Sequence, residues 1–195
     1  MGIVPYILIQ QGGIPMNKRN GTRIAFCGIA AALSLVILLM TIVPITEISL
    51  AALAGIVGIP VVIEFGRKTG LAVFATVSVL SLILIPTLEG KALYIAFFGY
   101  YPMLKSALET RRLPRLAEWG VKLVIFNVAV IAAYFLMLHV FGLPADSFTI
   151  GGVSLPWVFL LLGNGVFFLY DWCLTGLISK YMTAWQPRVR RLFKF

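Results

Sequence analysis

The sequence predicts an all-α membrane protein, a compact bundle of six transmembrane helices with N- and C-termini cytoplasmic. Three observations carry this. Of 195 residues, 61% are hydrophobic and 12% charged, whereas a soluble domain carries about 25% charged residues. Six apolar stretches are long enough to be considered as spans, and the basic residues fall almost wholly on one side of them. So much apolar surface cannot be hidden in one water-soluble core of this length. Soluble enzymes and free nucleic-acid binders are therefore excluded, despite a formal net charge of +9.

A span needs about 20 mostly apolar residues, with a working range of ~17–25. The first candidate runs from Thr22 to Val43 and is free of charge from Ile24 onward. The second, about Glu47 to Glu64, is short, and the third covers Gly70 to Leu88. The fourth, Lys91 to Leu108, is the weakest because Lys105 lies within it. The fifth is Glu118 to Phe141, and the sixth runs from about Ser154 to Tyr181 with Asp171 inside. Pro44, Gly66, Gly70 and the pair Glu89–Gly90 punctuate these stretches, and Ser154 before Pro156 fits a helix N-cap with an early proline. The segment 142–152 reads as an irregular loop, and residues 186–195 as a basic cytoplasmic tail.

With six spans and the N-terminus inside, 15 of the 16 Lys and Arg face the cytoplasm, and Lys91 alone lies outside. The positive-inside rule asks for such a bias. Five spans would send Arg188–Lys194 to the outer face and violate it. The basic surplus is thus a signal of orientation in a multi-pass cell-membrane protein, with the lipid bilayer as its first partner.

Residues 1–16 are an extension or a short interfacial segment. Met1–Gln10 is apolar but too short to span, and it lacks the basic start of a secretory signal. Met16, ahead of Asn17–Lys18–Arg19, is taken as the natural start. Cys27 and Cys173 lie in apolar runs, and His139 is the only histidine, so neither a disulfide framework nor a metal site is expected.

Ionisable residues at the centre of a span cost ~2.5–3.5 kcal/mol on insertion scales, so each needs a reason. At ~1.5 Å per residue, Asp171 lies about 24 Å below the outer end of helix six, and Lys105 about 21 Å below Lys91. The two meet in the inner half of the bundle, and Asn127 is at a compatible depth. A buried Lys105–Asp171 ion pair with Asn127 nearby is expected. The group either pins helices together or forms the floor of a site, and Lys105 alternatively snorkels to the inner headgroups. On this reading Asp171→Asn destabilises the protein unless Lys105 is neutralised too.

The outer half holds a second polar set. Asn164 shares the helical face of Asp171, seven residues away, with Gly163 and Gly165 beside it. Glu89, Gly90 and Lys91 form the outer turn, with Tyr94 one turn further on and Glu47, Trp157 and His139 near the same surface. A mostly apolar cleft with a few convergent polar groups suits a small molecule. The competing readings are an interfacial aromatic belt for Trp157 and interhelical hydrogen bonding for Asn164. The candidate ligand-binding residues are Glu89, Lys91, Tyr94, Asn127, Trp157, Asn164 and Asp171. Lys91, the sole outer cation, is the natural partner for a ligand carboxylate.

Helix one carries Ala25, Gly28 and Ala32 on one strip, and Gly28-x-x-x-Ala32 satisfies the small-xxx-small rule for close helix approach. A similar strip lies in Ala51, Ala52, Ala54, Gly55 and Gly58. Such strips serve internal packing or the docking of a separate membrane subunit.

A basic start, Lys18–Arg19–Asn20–Gly21–Thr22–Arg23, leads into an Ala-rich first helix; a final helix carries Asn164 and Asp171 and ends in a basic tail. From about Asn17 to Phe195 this pattern resembles the substrate-binding S components of energy-coupling factor (ECF) vitamin transporters. The resemblance rests on pattern and scattered residues. It implies binding of a vitamin-like nutrient near the outer face by the last three helices and the loops after helices one, three and five. It also implies docking, through small residues on helix one, to a transmembrane coupling subunit driven by two ATPases. Family members typically use Ala-x-x-x-Ala; here Ala25 is followed by Ile29 four positions on, so Gly28 and Ala32 serve instead. Ligand signatures of thiamine, riboflavin or biotin members are absent.

No Walker A, HExxH or GxSxG sequence occurs. The expected role is therefore capture of a nutrient from the outer side, with no chemistry and no cofactor of its own. The alternative is a non-transport scaffold or regulator whose Arg111–Arg115 loop and Arg188–Lys194 tail recruit a soluble partner.

Overall fold

The structure is a computed structural model, and it describes residues 16–43, 46–111, 114–139, 149–150, 153–154 and 156–193. The extension before Met16, Pro44, Arg112, Lys194 and most of the 142–152 loop lie outside the described residues, as do the side chains of Lys18, Arg19, Arg115, His139 and Trp157. The architecture is all-α, apart from a two-residue antiparallel pairing of Thr149–Ile150 with Val153–Ser154.

Helix α1 runs Met16–Leu39, beginning earlier than the first apolar stretch, and closes in a 3-10 turn at Met40–Ile42. The second span is retained at 47–65 but is built from two helices, α2 (Glu47–Ile56) and α3 (Gly58–Phe65). Pro60 explains the break: its ring clashes with the carbonyl four residues earlier, which belongs to Ile56, the last residue of α2. Gly66, at φ 83°, makes the left-handed turn into α4, Arg67–Leu84. That helix ends before Pro86 because a residue preceding proline is driven to extended backbone; Ile85 adopts φ −92° and ψ 118°.

The fourth segment is broken into pieces: α5 (Leu88–Leu93), a π-helical turn (Tyr94–Phe98) and α6 (Tyr101–Thr110). Gly99 N–H reaches Tyr94 O at 2.8 Å, closing the wider turn. Helix α7 spans Arg115–His139 and α8 spans Pro156–Lys180. The expected tail is helical as well: a π turn at Tyr181–Trp185 leads directly into α9, Gln186–Phe193.

Among the described residues five helices are long and apolar enough to cross a membrane: 20–42, 47–65, 67–84, 116–135 and 160–191. Their surfaces are the inverse of a soluble protein's. Ile83, Leu161 and Trp172 are 77%, 75% and 73% exposed, whereas Lys105, Lys122 and Asp171 are buried. Apolar outside and charged inside is the arrangement a lipid solvent demands. The chain has the make-up of a multi-pass membrane protein.

Helices α1, α2, α3 and α4 pack on one another, and the α5–α6 segment lies between them and α7. Three glycines permit this closeness. A β-carbon on Gly90 would lie 2.8 Å from Thr41 Oγ1, one on Gly99 would lie 2.6 Å from the Phe74 ring, and one on Gly55 would meet the backbone carbonyl of Phe98. Ser34 Oγ donates to Ala54 O at 3.1 Å, and the Thr41 and Thr87 hydroxyls bond at 2.6 Å, tying α1 and its 3-10 end to the rest.

Candidate functional site

Two polar layers sit in the bundle, separated by aromatic rings. The inner layer forms where α6, α7 and α8 meet. Tyr101, Lys105 and Glu109 recur every four residues on α6, so one face of that helix presents all three. Asp171 of α8 faces them. Its Oδ1 accepts from Lys105 Nζ at 2.5 Å and from Tyr101 Oη at 2.6 Å. Its Oδ2 lies 3.4 Å from Lys122 Nζ of α7. Glu109 stands 3.0 Å from Lys105, and Glu118, one turn below Lys122, stands 2.7 Å from it.

The cluster thus comprises two lysines and three carboxylates, graded from closed to open. Lys105 and Asp171 are 1% and 3% exposed, and Glu109 and Glu118 are 25% and 22% exposed. The acidic end is partly exposed, while the deep end is capped by Tyr101. Among the described residues Ser78 Oγ is the one fully buried side-chain oxygen or nitrogen without a partner, so each fully buried polar atom of the cluster has one. Lys122 also lies 5.4 Å from the Trp119 ring centroid, close enough for a cation–π contact.

Above Tyr101 the interior is filled with rings. Phe97 packs against Tyr101 at 4.7 Å and Phe126 at 5.0 Å, and Phe126 stacks on Phe167 at 4.8 Å. Tyr170 closes the side against Phe98 at 5.0 Å. The π turn matters here, since a turn with its hydrogen bond lengthened to i+5 re-aims the side chains that follow it.

The second polar layer is a reciprocal pair. Asn127 Nδ2 donates to Asn164 Oδ1 at 3.0 Å, and Asn164 Nδ2 donates to Asn127 Oδ1 at 3.1 Å. Each Nδ2 also donates to the carbonyl four residues back, Leu123 O and Leu160 O, both at 2.8 Å. All amide donors are used, but each Oδ1 keeps a lone pair, and both residues are only half-buried.

The sequence-derived candidates are distributed as follows. Lys105 and Asp171 come together. Asn127 sits with Asn164 one layer above Asp171, not beside it, because its side chain leaves α7 more than one turn outward of Lys122. Tyr94 is 3% exposed and packs 5.9 Å from Phe74, so it belongs to the aromatic interior. Lys91, half-buried, donates to Ile85 O at 3.0 Å, capping the end of α4. Glu89 is exposed in the first turn of α5. Trp157 lies on the first turn of α8. Ala25, Gly28 and Ala32 are exposed on α1, and a β-carbon on Gly28 would meet nothing within 4 Å.

Sequence reasoning missed Lys122, Tyr101, Glu109 and Glu118 as members of the inner cluster. The signal was present: Lys105–Glu109 and Glu118–Lys122 are both i,i+4 pairs of opposite charge. No group of three or more His, Cys, Asp or Glu suited to a metal occurs among the described residues. Comparison of the chain with protein-family models, with curated proteins and with solved structures finds no match.

Proposed function

We propose that the chain crosses the membrane six times, with 88–110 as the fourth crossing, and acts as a membrane-embedded binding subunit. It captures a small vitamin-like nutrient at the outer face and passes it inward with a separate coupling subunit driven by ATPases, in the manner of the S components it resembles. It performs no chemistry itself. The fourth crossing is too broken and too polar to stand in lipid. It is sheathed by its neighbours: Tyr101, Met103 and Lys105 are buried, and irregular backbone is tolerated at membrane depth only when enclosed by protein. At ~1.5 Å per residue its 23 positions reach about 34 Å, enough for a hydrocarbon core of ~30 Å.

The observation that carries the coupling-subunit reading is the idle small face of α1. Gly55, Gly90 and Gly99 each admit a close neighbour, whereas Gly28 admits none and is flanked on its strip by the exposed Ala25 and Ala32. A second helix can approach there without displacing anything in this chain. The ligand reading is supported by the Asn127–Asn164 pair, whose amides can exchange their mutual bonds for a ligand's, with Trp157, Glu89 and Lys91 nearer the rim.

The protein purified without added ligand should carry a small molecule detectable by mass spectrometry, and should capture ATPase subunits from its own cells. Asn164→Ala should remove the co-purifying molecule while costing only ~0.6–1.7 kcal/mol of stability, the range for interhelical hydrogen bonds in membranes. Lys91→Ala should weaken an acidic ligand and spare a neutral one. Absence of any bound molecule, with capture of a soluble protein that depends on Arg188 and Arg191, would favour the scaffold instead. One contact favours that second reading: Arg190 Nε lies 3.1 Å from Glu64, which draws α9 and its exposed Arg188 and Arg191 toward the Arg67–Lys68 end of α4.

A further inference from the structure

Between α1 and α4 a groove of about 540 Å³ opens on the outside of the bundle. Its walls are apolar or small, with Ile24, Gly28, Ala31 and Val73 among them, and Arg23 and Thr69 lie at its inner end. Arg23 Nη2 donates to Thr69 Oγ1 at 2.6 Å, which holds the guanidinium at the mouth, and Arg23 is exposed. Arg67 and Lys68, both exposed, open α4 directly below Thr69.

We infer that this groove is a binding site for one anionic phospholipid of the inner leaflet, its acyl chain lying along Gly28 and Ala31 and its phosphate on Arg23. A recess on a membrane-facing surface is filled by hydrocarbon, since an empty one forfeits dispersion contacts. Selectivity for an anionic headgroup comes from the charge at the mouth. Arg23 lies two turns into α1 and is tied by Thr69 to the start of α4, beside Arg67 and Lys68. Guanidinium is well suited to phosphate, and Arg67 and Lys68 add positive charge on the same side.

The charge at the mouth argues for a lipid with an anionic headgroup, which fills this face of α1 as long as no partner helix is docked on it. Its described lining on α1 runs from Asn20 to Ala31. The lipid site does not depend on nutrient capture, but it rests on the proposed orientation and uses the α1 face on which the coupling subunit would dock.

The test uses the purified full chain in mild detergent with an equal mixture of phosphatidylglycerol and phosphatidylcholine, read by native mass spectrometry. One phosphatidylglycerol should stay bound in preference to phosphatidylcholine. Arg23→Gln should abolish that preference. Gly28→Leu with Ala72→Leu should fill the groove and lower retained lipid at least fivefold with unchanged thermal stability, because Gly28 has space for a side chain and Ala72 is exposed. Arg188→Gln with Arg191→Gln should change nothing. Preference that survives Arg23→Gln, or that disappears with the tail substitutions, would overturn the site. So would retention unaffected by filling the groove, or no lipid retained by the wild-type chain. Should the filled variant fail to fold, Arg23→Gln decides alone.

Discussion

Lys105→Met should destabilise the protein by about 3–5 kcal/mol, the usual cost of breaking a buried ion pair, and adding Asp171→Asn should recover at least half of that loss. The inner cluster holds two cations against three carboxylates, so removing a lysine leaves three acids facing one cation. Asp171 is the deepest of them. It would keep Tyr101 and a longer contact to Lys122 at 3.4 Å, too little to replace a bond of 2.5 Å. Neutralising Asp171 removes the stranded charge. By the same count, Asp171→Asn alone is milder, since Lys105 retains Glu109 and Lys122 retains Glu118. A simple pair would make either single substitution equally harmful. Unfolding in detergent, followed by circular dichroism, separates the two. Additive losses in the double variant would show that Lys105 and Asp171 are not coupled.

Gly55→Ala should cost about 1–3 kcal/mol, the range for overpacking, and Gly28→Ala should cost nothing measurable. The two substitutions add the same methyl group to two helices of similar composition. At Gly55 the new carbon meets the Phe98 carbonyl, with Tyr170 Oη at 3.2 Å. Backbone cannot rotate out of the way as a side chain can, so α2 must separate from the π turn. At Gly28 the carbon enters open space. In lipid the contrast is informative because burial of apolar surface from water contributes little there; helix association depends on fit. Comparable thermal stability of the two variants would refute the packing described for α2.

How much of this was legible from the residues follows from which physics leaves a mark on sequence. Charge inside an apolar run is conspicuous, so Lys105 and Asp171 announce themselves, and their depths follow from helical rise. Lys122 does not. It stands one turn beyond Glu118 at the end of a span, where a basic residue normally signals cytoplasm, and only the approach of α8 reveals it as buried. Tyr101 likewise reads as one more interfacial aromatic until its hydroxyl is seen on Asp171.

Small residues carry even less. Gly28 and Gly55 lie in equivalent strips, and nothing in the sequence separates the one that packs from the one that does not. The fourth segment is broken into α5, a π turn and α6, none of them long enough to span alone, and such breaks leave little mark on the apolar pattern. Asn127 and Asn164 were each legible as buried amides, whereas their mutual pairing depends on the rotation of α7 against α8, which periodicity does not fix. For the rim, Tyr94 illustrates the limit: an aromatic one turn from a polar loop serves a cleft or a core equally well by pattern, and here it is packed at 3% exposure.

Six crossings with both ends inside is the claim on which nutrient capture at the outer face depends, and site-directed labelling tests it most directly. In a chain carrying Cys27→Ala and Cys173→Ala, single cysteines are introduced as Glu89→Cys or Arg188→Cys, both at exposed positions. A membrane-impermeant maleimide applied to intact cells should label the first and leave the second untouched until the membrane is permeabilised. Labelling of Arg188→Cys in intact cells would place α9 outside and contradict the proposed topology.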